Sequence, residues 1–313
     1  MNFRDCPILG HLLPALLIWS VAVSPLFSSG PRSSDVLNAA LRQEFCPVPR
    51  QARWGILTKV DVEAAAIASA AGESASIQQR LSAANNHFFG PDGFTVVSDM
   101  AGPENTSVAV MLENRRGTCV GLAIAYLALV RRVGLDAHAV ATPVHVFVRL
   151  HVGNAVHNVE LTEDGLEIDD ESYRRRYRID EASIASGAFM QKLSDDELIA
   201  HLLSNQAVAL SKQGRVKDAL KRYDRALKLN PKLVAAWYNQ GIDLMAAGRP
   251  QKALESFDRA LELYPSDAQA HNNRGLAKMK LGDIEGARED WLKALELEPG
   301  MAEAEANLRR LKQ

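Results

Sequence analysis

Cysteine is scarce in this 313-residue chain, which has only Cys6, Cys46 and Cys119. Three are too few for a disulfide-stapled scaffold, and their spacing fits no paired zinc-ligand motif. An excess of charge of either sign is also missing. Lys and Arg total 36 against 38 Asp and Glu, so the formal net charge of −2 gives no basic field to draw the chain to nucleic acid. No HExxH pair occurs, and His157 falls on the strand face opposite His145 and His151, so no metal and no cofactor is expected. Long apolar runs are confined to the start. From Cys6 to Pro31 there is no Asp, Glu, Lys or Arg, and Leu12–Val23 is the most apolar stretch. Behind Arg4, residues 1–30 read as a signal peptide or an uncleaved membrane anchor. Small-x-small sites end at Ser24 and Gly30, but Pro25 and Pro31 follow them and disfavour cleavage. The expectation is an exported or membrane-anchored protein that meets the membrane only through this segment. The rest, with 47% hydrophobic and 24% charged residues overall, has an ordinary globular composition, and its length suits two domains.

The last third repeats itself every 34 residues. Pro231, Pro265 and Pro299 keep that step, as do Gly214, Gly248 and Gly282, Ala219, Ala253 and Ala287, Ala226, Ala260 and Ala294, and the aromatics Tyr223, Phe257 and Trp291. These are the marks of helical hairpins. Small residues let two antiparallel helices approach, the aromatic fills the gap, and a proline ends each copy. One hairpin cannot cover its own apolar face, so the copies must stack. The pattern resembles the tetratricopeptide repeat (TPR), with copies at 200–233, 234–267 and 268–301 and a closing helix over 302–313. Trp237 sits at the repeat's first-helix aromatic position, from which Leu203 and His271 depart. The resemblance implies a groove lined by the first helix of each hairpin, with a peptide or protein partner bound in it. At one position of that helix all copies carry asparagine: Asn205, Asn239 and Asn273. An amide offers a donor and an acceptor to peptide backbone of any sequence, so these are candidate partner-binding residues. Lys212 and Lys280 flank the groove, and Ala246 interrupts that series.

The middle, 33–196, holds the candidate chemistry. Helical patterns run over Ser34–Glu44, Val60–Ser69, Ile77–Phe88 and Ser107–Asn114, the last making the sequon at Asn105 a helix start. Leu122, Tyr126, Leu129, Val130 and Val133 mark another helix, stopped at Gly134, with Cys119 in its first turn. There the unpaired N–H groups favour a thiolate, and Arg115 and Arg116 add nearby charge. The period then switches to two. Ala137–Ala141, His145–His151 and Val156–Leu161 read as strands, with Gly153–Asn154 as a two-residue turn. That turn sets His145 opposite Thr162 and diagonal to Glu160, with Asn158 on the same face. A thiol, an imidazole and an acid or amide to orient it are what acyl transfer at sulfur requires. Arg174–Arg176 read as a solvated charged loop.

These residues, in LSAANNHFFGPDGF, PENTSVAVMLENRRGTC, HVFVRL and NVELT, resemble the transglutaminase-like superfamily, in its bacterial branch often fused to TPR repeats. The resemblance implies a papain-like core with Cys119 as nucleophile, His145 as general base and Glu160 as the acid, where the family more often has Asp. Asn158 stands as the alternative orienter. No glutamine suits an oxyanion hole; Asn114 and the N–H groups of Thr118 and Cys119 are the candidates. The fold expected is α+β, a papain/transglutaminase-like domain followed by an all-α TPR solenoid. Two functions stay open: a cysteine hydrolase or acyl transferase acting on peptide or protein amide bonds, and a non-catalytic interaction scaffold. A Cys46–Cys119 disulfide would silence the nucleophile.

Overall fold

The computed structural model describes residues 35–45, 48–99 and 102–311. The leader over 1–30, Cys6 and Cys46 lie outside the described residues. Among the described residues no helix is long and apolar enough to cross a membrane.

The N-terminal domain is built around one helix. Helices α1 (Val36–Leu41), α2 (Arg50–Ala71), α3 (Ile77–Phe89) and α4 (Val108–Asn114) precede α5 (Cys119–Arg132). Every residue of α5 from Val120 to Val130 is buried. A helix apolar on all sides must be enclosed on all sides, and α1, α2, α3 and α4 pack around it. Tyr126 sends its hydroxyl to Asn85 Oδ1 at 2.5 Å, which satisfies the one polar atom it carries inward. Ser107 caps α4 by accepting from Val110 N, as a helix start after Asn105 requires.

Short strands β1 (Thr95–Val96) and β2 (Arg116–Gly117) pair in parallel just before α5. The main sheet is antiparallel, in the order β3 (Asp136–Ala141), β4 (Val146–Val152), β5 (Ala155–Glu160) and β6 (Leu166–Glu167). Val148 faces Val159 and Val152 faces Ala155, the register that a two-residue turn at Gly153–Asn154 dictates. Gly153 takes φ +61°, which such a turn needs and a Cβ would strain. The free edge of β3 is covered by the chain itself: Met190 N donates to Ala141 O and Leu193 N to Ala139 O. Between β6 and this edge lie α6 (Asp170–Arg176) and α7 (Glu181–Ala185). The expectation of a loop at Arg174–Arg176 is corrected. Asp169 caps α6, Asp170 and Glu171 fill its first turn and the three arginines its last, which suits the helix dipole.

Three helical hairpins follow: α8 (Asp195–Lys212) with α9 (Val216–Leu229), α10 (Val234–Ala246) with α11 (Pro250–Leu263), and α12 (Ala268–Lys280) with α13 (Ile284–Leu297), closed by α14 (Ala302–Arg310). A Cβ on Gly241 would stand 2.6 Å from the Phe257 ring, and one on Gly275 the same distance from Trp291 Nε1. The small residue and the aromatic are therefore one packing unit across each hairpin. Trp237 Nε1 donates to Pro231 O at 2.8 Å, and in the next copy His271 Nε2 lies 3.0 Å from Pro265 O. The departure from an aromatic at 271 thus keeps the repeat's hydrogen bond.

The two halves share a core. One continuous set of buried side chains runs from Val36 and Leu37 through α5 into Leu198, Leu202 and Tyr223. Arg222 of α9 donates to Gln43 O at 2.6 Å and lies over the Phe45 ring. Glu44 beside it is buried, accepting from Ala109 N at 3.1 Å. Burial pushes its carboxyl up to about 7, despite that hydrogen bond. A second apolar cluster ties 177–190 to the repeats: Ile179 and Phe189 pack with Val234 and Ala260. Ser186 Oγ donates to Leu263 O at 3.0 Å, and Phe189 meets Tyr264 edge-on.

Candidate active site

Cys119 is the first residue of α5, capped by Thr118, whose hydroxyl accepts from Gly121 N. Its thiol is free and half-buried. His145 enters from the bend between β3 and β4, where Thr142 N donates to His145 O at 2.8 Å and Thr142 Oγ1 adds a second bond. This pins the backbone on either side of Pro143 and Val144. The imidazole lies between the thiol and a carboxylate. It interacts with Cys119, and its Nε2 is 2.8 Å from both Glu160 Oε1 and Oε2. With Nε2 committed to Glu160, Nδ1 is the nitrogen left to exchange a proton with sulfur.

Glu160 ends β5 and is fully buried. Its Oε1 also accepts from Thr162 N at 2.9 Å and Thr162 Oγ1 at 2.5 Å, and its Oε2 from the Tyr173 hydroxyl at 2.9 Å. A carboxylate this well supplied with donors stays ionised in the interior. Burial acts to raise it, but His145 and Thr162 outweigh burial and hold it near 2. For His145 burial works against charge. The bonds and negative charge of Cys119 and Glu160 overcome that and push it up to about 9. Tyr177 stacks beside the ring, 6.0 Å between centroids and 22° between planes.

The neighbouring candidates fall elsewhere. Asn158 accepts from Arg149 Nε and donates to Ile168 O and Asp170 Oδ1, so its amide does not orient His145. Arg115 pairs with Glu63 at 3.1 Å and lies over the Phe94 ring, and neither it nor Arg116 lines the cavity around the thiol. The expected contribution of these cations is corrected accordingly: the tight turn after α4 points the chain to Glu63. Asn114 is exposed at the end of α4 and also lies outside that cavity. Among the described residues no group of three or more His, Cys, Asp and Glu converges to hold a metal ion.

Cys119 and His145 open into a cavity of about 790 Å³ whose other wall belongs to the repeats. Asn205 of α8 and Asn239 of α10 line it. Asn273 does not; its Nδ2 donates to the Tyr238 hydroxyl at 2.9 Å, and Tyr238 lines the cavity in its place. Thr162 was placed opposite His145 in the sequence but not as a donor to Glu160, and Tyr173 and Tyr177 were not singled out. The signal was there in part, since Tyr173 and Tyr177 are one helical turn apart and Thr162 follows Glu160 by two.

Comparison with known proteins agrees with this architecture. Residues 55–204 match the Transglutaminase-like superfamily, and 198–266 and 238–304 match the Tetratricopeptide repeat. The chain therefore carries a transglutaminase-like core domain followed by TPR repeats. Two curated relatives, each called UPF0162 protein, come from Xylella fastidiosa strains 9a5c and Temecula1. Each is 26% identical over 160 residues, 49% of this chain and 56% of its own length. The chain thus spans about half the length of the curated relatives it matches. Among solved structures, the first TPR of Spaghetti (RPAP3) bound to an HSP90 peptide is 27% identical over 36% of this chain and 90% of its own, with a TM-score of 0.36. YrrB, described as a TPR protein with an unusual peptide-binding site, is 26% identical over 38% of this chain and 63% of its own, with a TM-score of 0.34.

Proposed function

We propose that this protein is a cysteine-dependent hydrolase or acyl transferase acting on amide bonds of a peptide or protein, with the repeats recruiting the partner. The observation that carries this reading is the contact series Cys119, His145, Glu160 at a cavity large enough for a ligand. In the proposed reaction the Cys119 proton passes to His145 and sulfur attacks the amide carbonyl. The N–H groups at the start of α5, which a helix leaves unpaired, receive the developing oxyanion. His145 returns the proton to the departing amine as the C–N bond breaks and a thioester forms. Water or a second amine, giving its proton to His145, then attacks the thioester and releases the thiol. Glu160 keeps the imidazole oriented throughout and stabilises its charged form whenever it holds the proton. Asn205, Asn239 and Asn273 serve the partner, the last through Tyr238. Residues 1–30 act as the export or anchoring segment, which places this chemistry outside the cytoplasm or at a membrane.

Alkylation of the full chain with iodoacetamide, followed by mass spectrometry, tests the chemistry. Cys119 should label quickly at neutral pH, and His145→Ala should slow labelling at least tenfold. Slow labelling that ignores His145 would favour a scaffold whose Cys–His domain is inert.

A further inference from the structure

The wall facing the nucleophile is made by the repeats rather than by the domain that carries it. Along α8, His201, Asn205 and Val208 follow at helical spacing and all line the cavity of Cys119, as do Tyr238 and Asn239 of α10. The groove of the first two hairpins and the active-site cleft are one space.

Along α8 and α10 the polar side chains of that wall are neutral, while Lys232 and Asp267 add one charge of each sign beside them. Asn205 and Asn239 each present one donor group and one acceptor. His201 finds no hydrogen-bond partner among the described residues, and burial holds its ring neutral, near 4, so it too offers one donor and one acceptor. Tyr238 accepts from Asn273 and keeps its own O–H free to donate. Repeated donor–acceptor pairs along a wall match the alternating C=O and N–H groups of an extended main chain. The opposite lip is apolar. Val96 and Val144, 44% and 79% exposed, line it with Val97 and Pro143, and the N-terminal domain sends no Asp, Glu, Lys or Arg into the cavity. The volume of about 790 Å³ falls within the range of roughly 300–1,000 Å³ usual for ligand clefts.

We infer that the substrate is an unfolded polypeptide segment, taken in extended form between the β3–β4 bend and helices α8 and α10, with an apolar side chain against Val96 and Val144 next to the reacting carbonyl. His201, Asn205, Tyr238 and Asn239 are its main-chain contacts. This rests on the cysteine chemistry proposed above. It makes the repeats part of the substrate site and not only a recruiting arm.

Fluorescein-labelled casein, an unfolded protein, and native ribonuclease are incubated with the full chain, with and without the amine dansylcadaverine, so that both hydrolysis and transfer are read. Modified bonds are mapped by mass spectrometry. Casein should react and native ribonuclease should not, with Val, Leu, Ile or Phe beside most modified carbonyls. Asn205→Ala with Asn239→Ala, and separately His201→Ala, should raise KM for casein at least tenfold with a smaller change in kcat, while iodoacetamide still labels Cys119 at the wild-type rate. That rate and an unchanged thermal midpoint certify the fold. Val144→Asp should turn the selected side chain from apolar to basic. An unchanged KM in the asparagine and histidine variants, equal reaction of native ribonuclease, or no side-chain preference would overturn this inference with the chemistry intact. Slow iodoacetamide labelling with no reaction on casein would remove the chemistry and the inference together.

Discussion

His145 Nε2 lies at 2.8 Å from both oxygens of Glu160, so the ring is tethered to the carboxylate as a whole and cannot swing toward one oxygen. The pair sets the pH behaviour expected of the site. His145, raised to about 9, carries its proton through the neutral range and loses it only as the pH climbs past that value. Activity should therefore show an alkaline limb near pH 9. Glu160→Gln should move that limb down toward the ordinary imidazole value of about 6.5, only partway because Cys119 also supports the charge, and lower kcat/KM by roughly 10²–10⁴. A pH–rate profile of both proteins decides it, and an unmoved limb would deny Glu160 its part.

The same pair contributes to stability. The raised His145 adds stability that is complete below about pH 6.5, its unfolded value, and vanishes as pH rises through 9. The depressed Glu160 adds stability that is complete above 4.5 and vanishes as pH falls through 2. The pair therefore acts fully between about pH 4.5 and 6.5. Thermal midpoints of wild type and His145→Ala should differ most in that window and converge above pH 9.

Glu44 works in the opposite sense. Its carboxyl is raised to about 7 in the fold, so ionisation is resisted there and stability falls as pH climbs from 4.5 through 7. Glu44→Gln should be close to neutral at pH 4.5 and stabilising by about 1–3 kcal/mol at pH 8. Urea midpoints at the two pH values read the difference.

Thr162→Val and Tyr173→Phe each remove a hydroxyl that donates to Glu160. A charge-assisted bond is worth about 1.5–3 kcal/mol, so each change should reduce kcat/KM roughly ten- to hundredfold. Their thermal losses should also shrink below pH 2, where Glu160 is protonated and needs fewer donors.

Gly241→Ala and Gly275→Ala push a methyl group into Phe257 and Trp291. Each should cost about 1–3 kcal/mol in chemical denaturation, with the repeats remaining helical by circular dichroism.

How much of this was readable from the sequence depends on how local the determinants are. Gly153–Asn154 fixes the β4–β5 register, and with it the approach of Glu160 to His145, fifteen residues apart in sequence. The repeats announce themselves by period alone. Helix α5 was visible only as a stripe from Leu122 to Val133, because a helix buried on every side has no polar face to set its period. The 163–193 stretch yielded least. Its short helices rest on capping residues and on contacts to distant α10 and α11, so Tyr173 and Tyr177 acquire their places beside Glu160 and His145 only after docking. Asn273 looked equivalent to Asn205 and Asn239, yet a tyrosine at 238 takes up its amide.

The core that runs unbroken from α1 through α5 into α8 and α9 has an evolutionary consequence. Gene fusion can join modules freely only where their interiors are separate, and here the seam between recognisable families falls inside a shared interior. A recombinant swapping one repeat array for another would stay folded only if crossover occurred beyond Ser266, carrying the first two hairpins along with their N-terminal host. Lineages of this protein should therefore diversify in the third hairpin while the first two drift in step with α1 and α5.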